Sequence, residues 1–380
     1  MTLKIALLTY STQPRGSVIH TLELAQALHD LGHSPCVFAL DKGGRGFHRP
    51  LNFKTCAIPA KPCDGGIDQL IQQRIEEFVQ FFEDVDTQYD IYHAQDCLSA
   101  NALARLKASG KLSHFLRTVH HIEDFNSPYL QDCQDKSIYQ PDKCLCVSQL
   151  WQQVLKQDYG IEAYRVTNGV SHRFSSNKDG SERAIAQAYG IHDGPIYLTV
   201  GGIEPRKNTL NLLKAFQQVR QRQPEAKLVI AGGATLFDYQ DYRQKFMSLA
   251  ETLHLESAIV LAGIVADQDL PAIYRLADAF VFPSVQEGWG LVVLEAIASH
   301  IPVLVSNQPP FTEFLSEQSA CLVNPLDVEA IAQAMIKITD PNVAQRLTTQ
   351  ASQIITQYSW QASAKEHLAL YRQICIGAKM

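Results

Sequence analysis

The sequence predicts an α/β protein built from two consecutive Rossmann-like units. Three observations carry this. Short apolar runs rich in β-branched and aromatic residues alternate with amphipathic helical stretches from end to end. The runs are apolar on both faces, as strands of a helix-covered parallel sheet must be. The alternation breaks once, at a polar stretch over 168–182, and then restarts.

In chain order the first half offers the strands KIALLTY, SPCVFAL, FKTCAIP, DIYHA, HFLRTVHH, KCLCVS and AYRVT. Helices fall between several of them. VIHTLELAQALHDLG sets Leu22, Ala25, Leu28 and Leu31 on one face and stops at Gly32. DQLIQQRIEEFVQFFEDV is a second amphipathic helix. The stretch NGVSHRFSSNKDGSE is rich in Ser, Gly and Asn, lacks periodicity, and reads as an interdomain linker. Beyond it the strands IYLTVGG, KLVIAGG, AIVLAGI, AFVFPS, PVLVSN and ACLVNP resume the pattern, and the chain ends in two helical segments. The division is therefore 1–168, a linker over 169–180, a second unit over 181–358, and a terminal helix over 359–380. Open sheets of this kind place ligands at the carboxyl ends of their strands, here facing a shared cleft.

The bulk composition narrows the function. A chain of 380 residues, 46% apolar and 19% charged, suits a soluble globular protein with two cores. A net charge of −6 lacks the basic footprint of a nonspecific nucleic-acid binder. The nine cysteines are scattered. Cys144 and Cys146 share one face of a strand, but no CxxC pairs stand at zinc spacing. They read as buried reduced thiols of a cytoplasmic protein. No apolar run approaches the ~18 residues of a membrane span. The opening MTLKIALLTYS reads as a first buried strand rather than a signal peptide.

Three strand–turn–helix junctions carry the chemistry. In the first, AFVFPS is the strand, VQEGWG the turn and LVVLEAIASH the helix. Gly288 and Gly290 flank Trp289 and let backbone approach a ligand. The helix start at Leu291 presents free N–H groups and a partial positive charge, which suits a phosphate. Glu295, one turn in, leans back toward that start, where its carboxylate can accept from sugar hydroxyls. Glu287 faces the ligand from the loop side. In the second junction, LTVGGIEPRKNTLNLL, Arg206 and Lys207 stand ahead of a helix capped by Asn208 or Thr209, where cations meet a diphosphate. The third is the turn after the first strand, where Gly16 and Ser17 open a helix. GGRGF at 43–47 follows the second strand and opens no helix, so it is no dinucleotide fingerprint.

Histidines gather at strand ends of the first half, His93 in YHAQD and His120 and His121 in TVHHIEDF. His120 is the strongest site candidate of the three. Asp96 and Asp124 lie just beyond and suit hydroxyl orientation or loop capping. Two Asp-x-Asp pairs, Asp84/Asp86 and Asp267/Asp269, match a metal-binding spacing. The first reads as a solvated helix end and the second as a helix cap with a first-turn acid, so no metal site is expected.

Taken together, PRGSVIHTLELAQALHDLGH, VHH, NGV, VGGIEPRKN, LAGIVADQDLPAIYRLADAFVFPS and EGWGLVVLEAIASHIPVLVSN resemble, in that order, the retaining GT-B-fold glycosyltransferases of family 4. The resemblance covers nearly the whole chain. Its most specific part is the pair Glu287 and Glu295 with seven residues between, followed by an apolar strand and Asn307. It implies two Rossmann-like domains facing a central cleft, with the C-terminal helix crossing back to the N-terminal, acceptor-side domain. It implies that Glu287 contacts the donor sugar, that Gly288, Trp289, Gly290 and Leu291 line the sugar and phosphate, and that Glu295 holds the ribose. Arg206 and Lys207 would hold the diphosphate, Ile264 would meet the base, and His120, Gly16 and Ser17 would face the reacting sugar and the phosphate. Three positions depart from the family pattern: Gly202 stands where many members have Arg, Ser17 replaces the second glycine of the first turn, and Ser171 replaces an Asp.

The reading is transfer of a hexose from a nucleotide diphosphate sugar, UDP- or GDP-linked, with retention and without metal or cofactor. The acceptor class (sugar, lipid or small molecule) is open, and so are peripheral membrane contact and oligomeric state. Two rivals share the fold: a sugar-nucleotide epimerase or hydrolase, and a non-catalytic nucleotide-sugar sensor. The pairing of Glu287 with His120 favours an enzyme. A Rossmann dehydrogenase would need a GxGxxG in the first βα turn, which is lacking.

Overall fold

The computed structural model describes residues 2–47, 49–85, 87–191, 194–233 and 239–377. The chain divides into two units, one comprising Met1–Gly169 and Tyr358–Met380, the other Val170–Gln357.

The first unit holds a parallel sheet of β1 (Lys4–Thr9), β2 (Ser34–Asp41), β3 (Lys54–Pro59), β4 (Ile91–Ala94), β5 (Leu116–Val119), β6 (Lys143–Cys146) and β7 (Tyr164–Arg165). Their order is β3-β2-β1-β4-β5-β6-β7. Ile5, Ala6, Leu7 and Leu8 are all fully buried, so β1 is covered on both faces. The helix Gly16–Asp30 buries Leu22, Ala25 and Leu28 as its periodicity predicts; Leu31 becomes the half-buried cap, and the turn is completed by Gly32 at φ 82°. Ile67–Asp84 buries Ile71, Ile75, Phe78, Val79 and Phe82, a stripe at helical spacing.

The C-terminal helix Trp360–Gly377 belongs to this unit. Glu366 accepts from the Thr167 backbone N–H at 2.7 Å and from its hydroxyl at 2.9 Å. Tyr371 Oη lies 2.7 Å from His93 Nδ1. The rings of His20, His93 and His367 are 0–1% exposed and pack together with Trp360 and Tyr371. Burial lowers His20 to about 3 and His367 to about 4, and takes His93 well below the ordinary imidazole value.

The second unit holds β8 (Ile196–Val200), β9 (Lys227–Ala231), β10 (Ile259–Gly263), β11 (Ala279–Phe282), β12 (Val303–Ser306) and β13 (Cys321–Val323), again all parallel, in the order β10-β9-β8-β11-β12-β13. Its two core layers alternate residue by residue. Phe280 and Phe282 face one layer with Val303 and Val305. Ala279 and Val281 face the other with Leu304 and Tyr197. This period-two burial on both faces is why these strands read as continuous apolar runs.

Residues 169–180 do not form a free linker. Phe174 is 4% exposed within the core of the second unit and stacks edge-on against Tyr274 at 5.5 Å. Arg173 bonds Asp267, and its guanidinium lies over the Phe174 ring at 4.7 Å. The polar residues around them hid this anchor from the sequence pattern. Among the described residues, no helix is long and apolar enough to cross a membrane. The thiols of Cys36 and Cys144 are buried, which pushes both up to about 11.

Candidate active site

The strand order of the second sheet reverses between β8 and β11. Loops leaving the carboxyl ends of two such strands diverge and open a crevice. Here those loops are 201–208 and 283–290, and they carry the cation pair and Glu287 of the sequence pattern.

Beyond β8, Gly201 adopts φ 146°, and a Cβ there would fall 3.2 Å from Lys207 Cε. The glycine thus lets the lysine stem fold back against the strand end. Arg206 and Lys207 occupy a 3-10 turn, Pro205–Lys207. Asn208 follows at φ 58° and stands at the start of helix Thr209–Arg222, yet makes no side-chain cap. Its Nδ2 instead donates to Pro283 O at 3.0 Å and Pro325 O at 2.5 Å. The expected cap is therefore a staple between three strand-end loops. The Val285 N–H donates to Arg206 O at 2.8 Å and fastens the two turns further.

Side chains close the same junction. Glu287 is 7% exposed, and its Oε1 takes Lys207 Nζ at 2.5 Å and Arg206 Nη1 at 3.3 Å. Glu204, 4% exposed, accepts from Arg206 Nε at 3.1 Å. Lys207 Nζ lies 4.4 Å from the centroid of Phe282, a favourable cation–π geometry. Burial and the Arg206 charge lower the Lys207 ammonium below its ordinary value, against the pull of Glu287. Sequence reasoning assigned the cations to a diphosphate and Glu287 to a sugar, as separate contacts; the structure joins them in one ion cluster. Glu204 was not foreseen. It also accounts for Gly202: a Cβ there would fall 2.7 Å from both Glu204 Oε1 and Gly233 O.

The loop after β11 ends at Gly290, φ 105°, which opens the helix Leu291–Ala298. A Cβ at Gly290 would meet Phe311 Cε1 at 2.7 Å, so conformation and space both require glycine. Trp289 is buried and stacks on Phe314 at 4.8 Å; its side chain anchors the loop in the protein, whatever its backbone contacts. Gly288 is half-buried. Glu295 is 7% exposed, and its Oε2 accepts from Tyr274 Oη at 2.9 Å. The same hydroxyl lies 3.1 Å from Val292 O. Burial and the neighbouring carboxylate raise the Tyr274 phenol well above its ordinary value, so it stays a donor. Nothing in LPAIYRLA signalled this partner, because the contact crosses between elements. Ile264, just past β10, is 60% exposed and covers Gly233, whose Cβ would fall 2.4 Å from Ile264 Cγ1.

In the first unit the order reverses between β1 and β4. Gly16 opens the helix after β1, and a Cβ there would meet open space; Ser17 is half-buried beside it. His120 follows β5, half-buried, with Nε2 3.2 Å from Gln95 Oε1 and its ring edge-on to His20 at 4.7 Å. Burial holds His120 well below the ordinary imidazole value, so the ring is neutral. His93 turns inward, bonding Tyr371 and Thr118 Oγ1 (2.8 Å), and is a core histidine. His121 pairs with Glu123 at 2.8 Å. Asp96 caps its helix through Ser99 N at 2.8 Å, and Asp124 is exposed. Of the aspartate pairs, Asp267 is engaged by Arg173 and Asp269 accepts from Tyr189; Asp84 ends a helix and Asp86 lies outside the described residues. Among the described residues, no three His, Cys, Asp or Glu side chains gather as a metal-binding group.

Comparison with known proteins agrees with this architecture. Residues 181–354 match the family model of the glycosyl transferases group 1, and residues 14–174 that of Glycosyltransferase Family 4. A mannosylfructose-phosphate synthase of Agrobacterium fabrum is 26% identical, over 93% of this chain and 86% of its own length. Among solved structures, a sucrose-phosphate synthase from Thermosynechococcus elongatus aligns at TM-score 0.80 with 21% identity, over 99% of this chain and 100% of that one. HepE of Anabaena, solved with UDP and glucose, aligns at TM-score 0.77 with 17% identity, over 97% and 99%.

Proposed function

The chain belongs to glycosyltransferase family 4, the group 1 glycosyl transferases with two Rossmann-like units, and we propose that this hexosyltransferase moves its sugar from a nucleotide diphosphate donor with retention and without a metal. The observation that carries the donor reading is the ion cluster at the β8/β11 junction, where Lys207 and Arg206 share the single oxygen Glu287 Oε1. With Glu204 on Arg206 the cluster holds two cations and two carboxylates, so its charges balance and both cations rest on exchangeable carboxylate partners. A diphosphate supplies more oxygens than the carboxylate and competes with it for Lys207. Glu287, released from the ammonium, then turns its acceptor oxygens to the hydroxyls of the sugar attached to that diphosphate.

The difficult step is departure of the nucleoside diphosphate. As the bond between anomeric carbon and phosphate oxygen breaks, charge grows on the leaving oxygens. Lys207 and Arg206 are already held on a carboxylate and the helix start at Leu291 carries a partial positive charge, which is how a preorganised site lowers such a barrier. Retention follows if the acceptor oxygen bonds the anomeric carbon from the face that the phosphate leaves, its proton passing to the departing phosphate oxygen. Glu295, fixed by Tyr274, holds the ribose, and exposed Ile264 gives the base an apolar surface. HepE, with its UDP and glucose, supports a uridine nucleotide as the first donor to try; GDP-linked sugars are the second.

The test is NMR of the first-formed product. UDP-glucose and GDP-mannose are offered with a panel of sugar, polyol and lipid acceptors in excess EDTA. Transfer with the donor's anomeric configuration kept is expected. An inverted product overturns the retaining assignment, and activity restored only by Mg²⁺ or Mn²⁺ overturns the metal-free one. Release of free sugar alone, with every acceptor refused, favours the hydrolase reading.

A further inference from the structure

Gln95, the partner of His120, occupies a telling position. It follows β4 directly, and its backbone N–H donates to Leu8 O of β1 at 2.9 Å, where the order of the first sheet reverses. Its side chain is buried at 1% exposure. One end of the amide, Oε1, lies 3.2 Å from His120 Nε2. The other end, Nε2, has no partner among the described residues. A buried amide half unsatisfied is a poor choice for packing alone, since an aliphatic side chain would fill the space without desolvating a donor.

Its effect on His120 follows from elementary chemistry. A carboxamide oxygen accepts and cannot donate, so the His120 nitrogen facing it must carry the proton. A neutral imidazole with its proton on Nε2 has a lone pair on Nδ1. That nitrogen bonds no protein group among the described residues. The ring is held from another side by His20, whose Nδ1 lies 2.8 Å from Asn168 Oδ1. The groups bearing on His120 are Arg117 on β5, His20 on the helix Gly16–Asp30, His93 on β4 and the neighbouring His121. None is a carboxylate, so nothing among them favours the imidazolium, which would convert Nδ1 into a donor.

We infer that Gln95 is a positioning residue that fixes the Nε2–H tautomer of His120, so that Nδ1 accepts a hydrogen bond from a sugar hydroxyl of the substrate. The inference rests on the reading that His120 meets the reacting sugar, and the test separates the two. Full-length protein labelled with ¹⁵N-histidine gives the protonation of each ring nitrogen by long-range ¹H–¹⁵N correlation at pH 7.5. His120 is assigned by the signals lost in His120→Ala. The wild-type ring should show a protonated Nε2 and a bare Nδ1; a protonated Nδ1 overturns the inference with no variant needed.

Activity is read as nucleoside diphosphate released from whichever of UDP-glucose and GDP-mannose the protein uses. Gln95→Met keeps the volume and removes the acceptor. It should lose the fixed tautomer and slow release about fivefold to tenfold, the worth of one hydrogen bond, in kcat more than in donor KM. Gln95→Glu keeps the acceptor but sets a negative charge beside the ring. Its pH–rate profile should gain an acid limb near neutrality, as the imidazolium forms, where the wild type is flat. An unchanged profile, or a changed tautomer with wild-type release, removes the role of Gln95. Wild-type release by His120→Ala removes the role of His120 itself.

Discussion

On the proposed reading, Lys207, Glu287, Tyr274 and Glu295 divide the work at the nucleotide end of the site. Glu287 is the resting counter-ion of Lys207 and Arg206, so the two glutamates should respond differently to neutralisation. Glu287→Gln removes the competitor for the diphosphate and also the acceptor offered to the sugar. Its nucleoside diphosphate affinity should equal or exceed that of the wild type while kcat falls. Calorimetry beside product formation checks both, and a Glu287→Gln protein that no longer bound nucleotide would reverse the assignment. On the proposed reading Glu295 holds the ribose, far from the breaking bond, so its contacts would differ little between ground and transition states, the signature of uniform binding. Glu295→Gln should raise donor KM roughly tenfold to a hundredfold, the worth of a charge-assisted hydrogen bond, with kcat nearly unchanged. Tyr274→Phe, which unfastens Glu295 and also frees the Val292 carbonyl, should raise KM in the same direction but by less. A Tyr274→Phe effect confined to kcat would contradict this.

At the level of elements, the strand-end turns are where the sequence was most and least informative. Every expected strand formed: a run such as AFVF buries on both faces, while the exposed pair Tyr164–Arg165 of β7 is held by its pairing with β6. The glycine-flanked tryptophan correctly marked a strand-to-helix junction, because Gly290 at φ 105° leaves little choice of residue. What crosses from one turn to another was not legible. Glu204 behind Arg206, Tyr274 on Glu295, Asn208 on Pro283 and Pro325, and Gln95 on His120 each join segments that sequence spacing treats as unrelated. The polar stretch 169–180 misled for the same reason, since one buried Phe174 outweighs its composition. Gly290→Ala tests the junction. Backbone strain alone should cost about 1–3 kcal/mol, with the Phe311 clash added. Urea unfolding should show the loss, and an unchanged midpoint would mean that the turn relaxes freely.

Across the molecule, the most pH-sensitive stability sits in the first unit. His20 and His367 are held near 3 and 4, far below the ordinary value of 6.5, and His93 is lowered as well. The unfolded chain takes up protons near pH 6.5 that these buried rings refuse. Their contribution is therefore whole above pH 6.5 and is lost progressively as pH falls toward 4, at about 1.4 kcal/mol per pH unit for each such histidine. Hydrogen-exchange protection of the terminal helix Trp360–Gly377, which supplies His367 and Tyr371, should fall steeply between pH 7 and pH 5 once corrected for intrinsic exchange. Constant protection would mean that these rings are protonated in place.

Donor binding on the proposed reading requires a nucleoside diphosphate on the cation pair at the β8/β11 junction. Calorimetric titration of UDP and of GDP into the wild-type protein and into Lys207→Ala decides this directly. One of the two nucleotides should bind the wild type, and Lys207→Ala should weaken it roughly tenfold to a hundredfold through loss of a charge-assisted contact. Equal affinity in both proteins would put the diphosphate elsewhere and contradict the reading of the site.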